Sequence, residues 1–338
     1  MFKSKDIGID LGTANTLICA KGRGIILREP SVVAINKNTG DVKAVGEEAK
    51  DMLGRTPGSI VAIRPLKDGV IADFDITQIM LKNLIKKAIN HSWWRRPRVV
   101  ICVPSGVTEV ERRAIEEAVL GAGAKEAYLI EEPMAAAIGA GLKVEEPVGK
   151  MVVDIGGGTS EVAVLSLGGI VTSKSLRVAG DEFDDYIVSH IKKQYNLMVG
   201  DQTAEMIKKN IGSAFQYEDE SVMLIKGRDL LTGLPKEVLI TAAEIREALN
   251  EPVMLIVDAI KSTLEKTPPE LSADIIETGI CLAGGGSLLR SLDQLVEKET
   301  GIHTFVAPAP LDCVVNGTGV VIEDLASYKR VLATKKRY

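Results

Sequence analysis

Asp10 and Asp154 each end an apolar run and open a glycine turn. Around the first, the chain reads Ile7-Gly8-Ile9-Asp10-Leu11-Gly12-Thr13-Ala14-Asn15-Thr16. Around the second, it reads Val152-Val153-Asp154-Ile155-Gly156-Gly157-Gly158-Thr159-Ser160-Glu161. The shared order is aliphatic strand, Asp, one aliphatic residue, Gly, then a small or hydroxyl patch. Small residues let backbone amides approach and point at a phosphate; Thr13, Asn15 and Thr16 add side-chain donors to the first turn, and Thr159 to the second. Two carboxylates in one cleft would repel phosphate unless a cation stood between them. Mg²⁺ held through water by Asp10 and Asp154 resolves that conflict. Either motif alone reads equally well as a hairpin turn beside a solvated Asp. Two copies in matched contexts point instead to a duplicated domain that grips a phosphate chain from both sides. The chemistry implied is Mg-dependent binding and hydrolysis of a nucleoside triphosphate.

Three further groups could serve that chemistry. Glu132, in Ile130-Glu131-Glu132-Pro133-Met134-Ala135, stands at a helix entrance and could orient a water for attack on a terminal phosphate; the alternative is plain capping by an acid near the positive end of the helix dipole. Ala283-Gly284-Gly285-Gly286-Ser287 is a strand-to-helix glycine turn, either an adenosine site at a helix N-terminus or close strand–helix packing. Glu205 and Lys208 share a helix face, as nucleotide contacts or as an ordinary surface ion pair. Gly180, just ahead of the helix at 181–195, joins the candidate cofactor-binding set.

The elements that must position these residues follow from periodicity. Strands are expected at 6–11, 16–21, 24–28 and 31–36, a helix at 77–90, and a buried strand at 98–103. Thr108 and Glu111 form a capping box ahead of the next helix, as do Thr241 and Glu244. A strand at 127–130 leads to a helix at 133–141 with Pro133 in its first turn. The second copy runs through 151–154, 161–166 and 169–176. Helices follow at 203–211, 241–249, 252–266 and 287–298, and strands at 221–226, 237–240 and 279–283. The lobe boundary falls at 145–149. The second lobe is interrupted by an inserted subdomain.

With 338 residues, 46% of them hydrophobic and 26% charged, the chain suits two globular lobes. No apolar run reaches the ~18 residues of a membrane span. The start leaves no room for a signal peptide or an amphipathic N-terminal helix. The four cysteines lie scattered in apolar runs, as in a reduced cytoplasmic protein, and three dispersed histidines argue against zinc. A net charge of −5 argues against nucleic-acid partners. Trp93 and Trp94, followed by Arg95, Arg96 and Arg98, form a basic aromatic island suited to a lipid interface, with burial under its own loop or self-association as alternatives.

Many ordered segments carry a resemblance over nearly the whole chain. They include Asp-Leu-Gly-Thr-Ala-Asn-Thr (10–16), Glu-Pro-Ser-Val-Val-Ala (29–34), Gly-Arg-Thr-Pro-Gly (54–58), Arg-Pro-Leu-Lys-Asp-Gly-Val-Ile-Ala-Asp-Phe (64–74) and Val-Pro-Ser-Gly (103–106). Glu-Glu-Pro-Met-Ala-Ala-Ala-Ile-Gly-Ala-Gly (131–141), Val-Val-Asp-Ile-Gly-Gly-Gly-Thr (152–159), Lys-Gly-Arg-Asp-Leu-Leu-Thr-Gly-Leu-Pro (226–235) and Thr-Pro-Pro-Glu-Leu (267–271) complete the set. The chain resembles the actin/heat-shock-chaperone/sugar-kinase ATPase superfamily, and within it the MreB/Mbl family of bacterial actins.

That resemblance implies an α/β, actin-like ATPase fold of two duplicated lobes around an ATP/ADP and Mg²⁺ cleft. It implies subdomains IA (1–32, 66–145 and 312–338), IB (33–65), IIA (146–181 and 246–311) and IIB (182–245). It implies that Glu132 and Thr159 position the attacking water, and that Glu205 and Lys208 approach ribose and adenine. A slow ATPase coupled to filament state is expected, as are antiparallel paired protofilaments. So are attachment to the inner face of the cell membrane through Trp93 and Trp94, and partnership with RodZ and the cell-wall elongation machinery. Asn316 replaces the family's usual aliphatic residue and is expected to disturb packing near the base or the lobe hinge. A chaperone reading lacks a peptide-binding domain after Gly319. A small-molecule kinase would need a substrate pocket with its own base. A pseudo-enzyme is disfavoured by the presence of Glu132 and both aspartates.

Overall fold

A computed structural model of the chain describes residues 6–89, 96–217 and 221–332. Two five-stranded sheets organise it, and their topology is the same. In the first, the order is Glu126–Glu131, Arg98–Val103, Ile7–Leu11, Asn15–Ala20, Gly24–Pro30. In the second it is Thr304–Val306, Ile280–Ala283, Lys150–Ile155, Ser160–Ser166, Gly169–Leu176. Each central strand pairs antiparallel with the next strand in sequence and parallel with a strand that arrives after a helical crossover. Duplication legible in two ten-residue motifs thus extends over ten strands. Both motifs end the central strand of their sheet, where ligands of α/β sheets gather.

The central strands read as near-continuous apolar runs because both faces are covered. In Lys150–Ile155, every residue after Lys150 is buried. Helices Phe74–Ala88 and Glu109–Gly121 cover one face of the first sheet, with Met80, Leu81, Leu84 and Ile85 buried against Ile9, Val99 and Ile101. Helices Gly180–Tyr195 and Ala242–Glu265 cover the second, through Phe183, Ile187, Ile256 and Ile260. Between the sheets, helix Glu132–Gly139 crosses helix Cys313–Glu323. The crossing is backbone on backbone. A Cβ on Gly317 would run into the carbonyl oxygen of Ala135, and one on Gly139 into that of Cys313. Small residues are what permit this approach.

Both capping boxes form, with Thr108 accepting from the Glu111 amide at 3.3 Å and Thr241 from the Glu244 amide at 3.2 Å. Other expectations need correction. The two helices expected at 241–249 and 252–266 are one helix, Ala242–Glu265, running through Pro252. Losing one hydrogen bond at an interior proline costs about 3 kcal/mol. Ile245, Leu249, Val253, Ile256, Val257 and Ile260 are all buried on either side of it, at roughly 1.5–3 kcal/mol each, so packing prevails. The helix expected at 287–298 is instead a 3₁₀ turn, Gly285–Leu288, and an α-helix, Leu292–Thr300, separated by Ser291 at φ 57°. Helices Cys313–Glu323 and Pro269–Thr278 and strand Thr304–Val306 are additional. Asn316 is half-buried on the first of these helices, one residue before Gly317 of the tight crossing.

Among the described residues, no helix is long and apolar enough to cross a membrane. Trp93 and Trp94 lie outside the described residues.

Candidate functional site

The two glycine turns close in the same way. Gly12 N donates to Asn15 O at 3.1 Å, and Gly156 N to Thr159 O at 2.8 Å. Each is braced from behind. Ser31 donates its hydroxyl to Gly12 O at 2.6 Å and its amide to Ala14 O at 3.0 Å. On the other side, Gly180 N donates to Gly156 O at 3.1 Å and Asp181 N to Gly157 O at 2.8 Å. Gly180 therefore stands at the foot of the second turn, as the first residue of its helix. The turns also meet face to face. A Cβ on Gly157 would lie 2.7 Å from Ala14 Cβ, and one on Gly158 2.7 Å from Thr13 Oγ1.

Asp10 and Asp154 occupy matching places one residue before the ends of their central strands. Burial pushes Asp10 up to about 8, with the field of Asp154 adding to it, and burial alone pushes Asp154 up to about 7. Asp154 Oδ1 is buried and has no hydrogen-bond partner. An orphaned buried carboxylate oxygen calls for an unseen partner, and a hydrated divalent cation fits it. No cluster of three or more His, Cys, Asp or Glu side chains makes a direct metal cage among the described residues. Such an ion would therefore rest on two carboxylates through water and on phosphate oxygens.

Glu132 begins its helix behind the first sheet, and no side chain caps that helix. Glu132 does lie in the first turn, near the positive end of the helix dipole, but its side chain makes no capping hydrogen bond. Its proton affinity is driven well above that of an ordinary carboxyl by burial first, then by the fields of Glu161, Asp154 and Asp10. Neighbouring Glu131 plays no part, because it turns to Arg112 at 3.2 Å. Thr159 is buried in the second lobe.

Lys208 points inward. Its ammonium donates to Gly180 O at 2.6 Å and to Asp184 at 2.9 Å, which brings it against the second turn. Glu205 is not its partner: it pairs with Lys209 at 2.6 Å, one turn along the helix. Glu205 and Lys208 therefore do not form the surface pair with each other, and Lys208 reaches the second turn. Gly284 and Gly286 are explained by packing, since a Cβ on either would strike Ile155. Gly285 is freer, since a Cβ there would have Leu311 as its nearest neighbour, at 3.0 Å. Ser287 is buried and donates to Gly284 O at 2.7 Å, so its hydroxyl is already committed.

Sequence reasoning missed the hairpin tip Asp68-Gly69. Both residues have positive φ, 50° and 75°, the backbone signature that an Asp-Gly pair favours in a two-residue turn. The Gly69 amide donates to Thr13 Oγ1 at 3.2 Å, and a Cβ there would meet Thr159 Cγ2 at 2.8 Å. This tip therefore touches both turns. The Asp-Gly pair was a readable signal, but strands of two residues each gave it no periodic flanks.

The family model described as MreB/Mbl protein matches residues 4–330. The chain belongs to the MreB/Mbl family. It is 53% identical over 322 residues to the cell shape-determining protein Mbl of Bacillus subtilis (strain 168), covering 95% of this chain and 97% of that one. It is 55% identical over 325 residues to the cell shape-determining protein MreB of Escherichia coli (strain K12), covering 95% and 94%. Among solved structures, MreB5 of Spiroplasma citri bound to ADP superposes with a TM-score of 0.92 at 41% identity, over 97% of this chain and 98% of that one. The AMPPNP-bound form matches with the same score. A MamK double helical filament subunit, 22% identical with a TM-score of 0.81, shares the fold. The α/β fold of this MreB/Mbl chain is thus the actin-like one expected.

Proposed function

We propose that this chain is an actin-like, filament-forming ATPase that determines cell shape, binding ATP with Mg²⁺ between its two lobes. The observation that carries this reading is the pair of equivalently closed and braced turns, Gly12–Asn15 and Gly156–Thr159, meeting beside the buried Asp154 and the half-buried Asp10. Amides of Gly12 to Asn15 and of Gly156 to Thr159 hold the phosphates, and Lys208 adds a positive charge beside the second turn. A Mg²⁺ ion resting through water on Asp10 and Asp154 supplies the charge that lets carboxylates and phosphates share one cleft. Glu132 orients the attacking water from the first lobe, with Thr159 opposite it, and accepts its proton as the bond to phosphate forms. Gly285, with Gly180 and Glu205, borders the nucleoside side of the cleft.

The relatives support the physiology. The curated relatives are named for determining cell shape, the MreB5 structures hold ADP and AMPPNP, and the MamK neighbour is a double helical filament. In this reading hydrolysis is slow and serves as a timer on antiparallel paired protofilaments. The filaments lie at the inner face of the cell membrane through Trp93 and Trp94 and guide cell-wall elongation with RodZ. The division into subdomains IA, IB, IIA and IIB at the expected boundaries belongs to the same proposal. Equilibrium titration with ATP, with and without Mg²⁺, followed by phosphate release, tests the core of it. Tight Mg-dependent binding with slow release supports the reading, and failure to bind ATP overturns it.

A further inference from the structure

Glu161 is a carboxylate with no exposed surface, and the reaction as derived above does not use it. It lies in the second lobe, two residues after Thr159 and directly across the strand pair from Asp154. Its two oxygens are held from different lobes. Oε1 accepts from the Ser175 hydroxyl at 2.6 Å, within its own sheet. Oε2 accepts from the Ser105 backbone amide at 3.1 Å, across the cleft, in a fully buried hydrogen bond.

Ser105 is tied closely to Glu132. It follows strand Arg98–Val103, whose last residue, Val103, pairs in register with Glu131 of the neighbouring strand. Glu132 follows Glu131 directly. Ser105 and Glu132 therefore leave adjacent strand ends of one sheet and move together. Thr159 and Glu161 likewise leave one strand pair of the other sheet. The Ser105–Glu161 bond thus spans the two units that carry the groups on either side of the attacking water. Other ties across the cleft, Arg64 to Asp181 at 3.0 Å and Arg55 to Gln202 at 3.4 Å, lie in exposed positions near the mouth, where water competes with them.

We propose that Glu161 is a positioning residue that couples lobe closure to hydrolysis, by fixing Thr159 of the second lobe relative to Glu132 of the first through its bond to the Ser105 amide. The inference rests on the reading of the cleft as an ATPase site. When the lobes separate, Glu161 keeps Ser175 and loses Ser105, so the hydrolytic pair loses its spacing while each phosphate turn keeps its own bracing. ATP would still bind, but the water would no longer be held in line. Misplacement by about 1 Å is enough to lower a rate by about 10²-fold.

The test compares wild type, Glu161→Ala, Glu161→Gln and Ser175→Ala in ATP affinity and in the single-turnover rate of hydrolysis. Glu161→Ala should slow hydrolysis by about 10–100-fold with ATP affinity nearly unchanged. Glu161→Gln should recover most of the rate, because its amide oxygen still accepts from Ser105. Ser175→Ala, a mild change at an exposed serine, should show a smaller loss of rate and guards against misfolding of the Glu161 variants. A purely structural role would predict lost stability and lost affinity together, without rescue by Gln. Wild-type rates in both Glu161→Ala and Ser175→Ala would overturn the proposal. So would equal loss in Glu161→Ala and Glu161→Gln. Absence of ATP hydrolysis by the wild type would instead overturn the reading of the site itself.

Discussion

Gly139 packs against Gly317 with so little room that a Cβ on Gly139 would lie 2.7 Å from Gly317 N. These glycines mark the crossing of the two helices that join the lobes beneath the cleft. Any change there must move backbone rather than a side chain, so it reaches both sheets at once.

Gly317→Ala is therefore expected to destabilise the fold by at least the about 1–3 kcal/mol typical of overpacking, measured as a lowered urea midpoint. Gly301→Ala, at an open helix end with no atom within 4 Å of its Cβ position, controls for the general cost of replacing glycine. It should lose less, and its loss should trace to its φ of 72°. Equal effects of the two would contradict the crossing as a close-packed joint.

Glu132→Gln should lower the rate of ATP hydrolysis by about 10²–10⁴-fold while ATP binding persists, because in the proposed site backbone amides, and not this side chain, would hold the phosphates. Phosphate release in a single-turnover assay reads the rate. A variant that hydrolyses ATP at the wild-type rate would remove Glu132 from the mechanism.

Acid–base behaviour of the nucleotide-free protein offers an independent check. Asp10 is raised from 3.8 to about 8 and Asp154 from 3.8 to about 7. A folded-state value above the unfolded one means the folded chain holds more protons between those limits. The associated stability is complete below the unfolded value and disappears as pH rises through the folded one. The melting temperature without nucleotide should thus fall from about pH 4 to about pH 8, the span between the unfolded and folded values, and Asp154→Asn should flatten that slope. An unchanged slope in Asp154→Asn would contradict the assignment.

The fold was legible wherever its causes were local. Thr108 with Glu111 and Thr241 with Glu244 announce helix starts through neighbours three residues apart, and both boxes form. The duplicated Asp–Gly turns were legible because strand alternation and glycine position repeat. Helix Cys313–Glu323 was not, since Val314, Val315, Gly317, Gly319 and Val320 all disfavour helix in isolation. Its helicity comes from packing on Glu132–Gly139. The same limit hid the site's supports. Nothing local shows that Glu131 turns to Arg112, that Lys208 turns to Asp184 rather than toward Glu205, or that Glu161 meets Ser105. Each of those partners is brought in by the tertiary fold.

Membrane attachment is tested through the paired tryptophans. One such tryptophan pair would bind lipid weakly, and a filament presenting many copies would bind by avidity. Trp93→Ala with Trp94→Ala should abolish co-sedimentation with anionic liposomes and leave ATP binding intact. Undiminished sedimentation would place the contact elsewhere.

The most direct test of the central claim is electron microscopy of the purified protein with ATP and Mg²⁺ on an anionic lipid monolayer. Paired filaments should lie on the lipid and be absent when nucleotide is withheld. Dispersed monomers, under conditions where ATP is shown to bind, would contradict it.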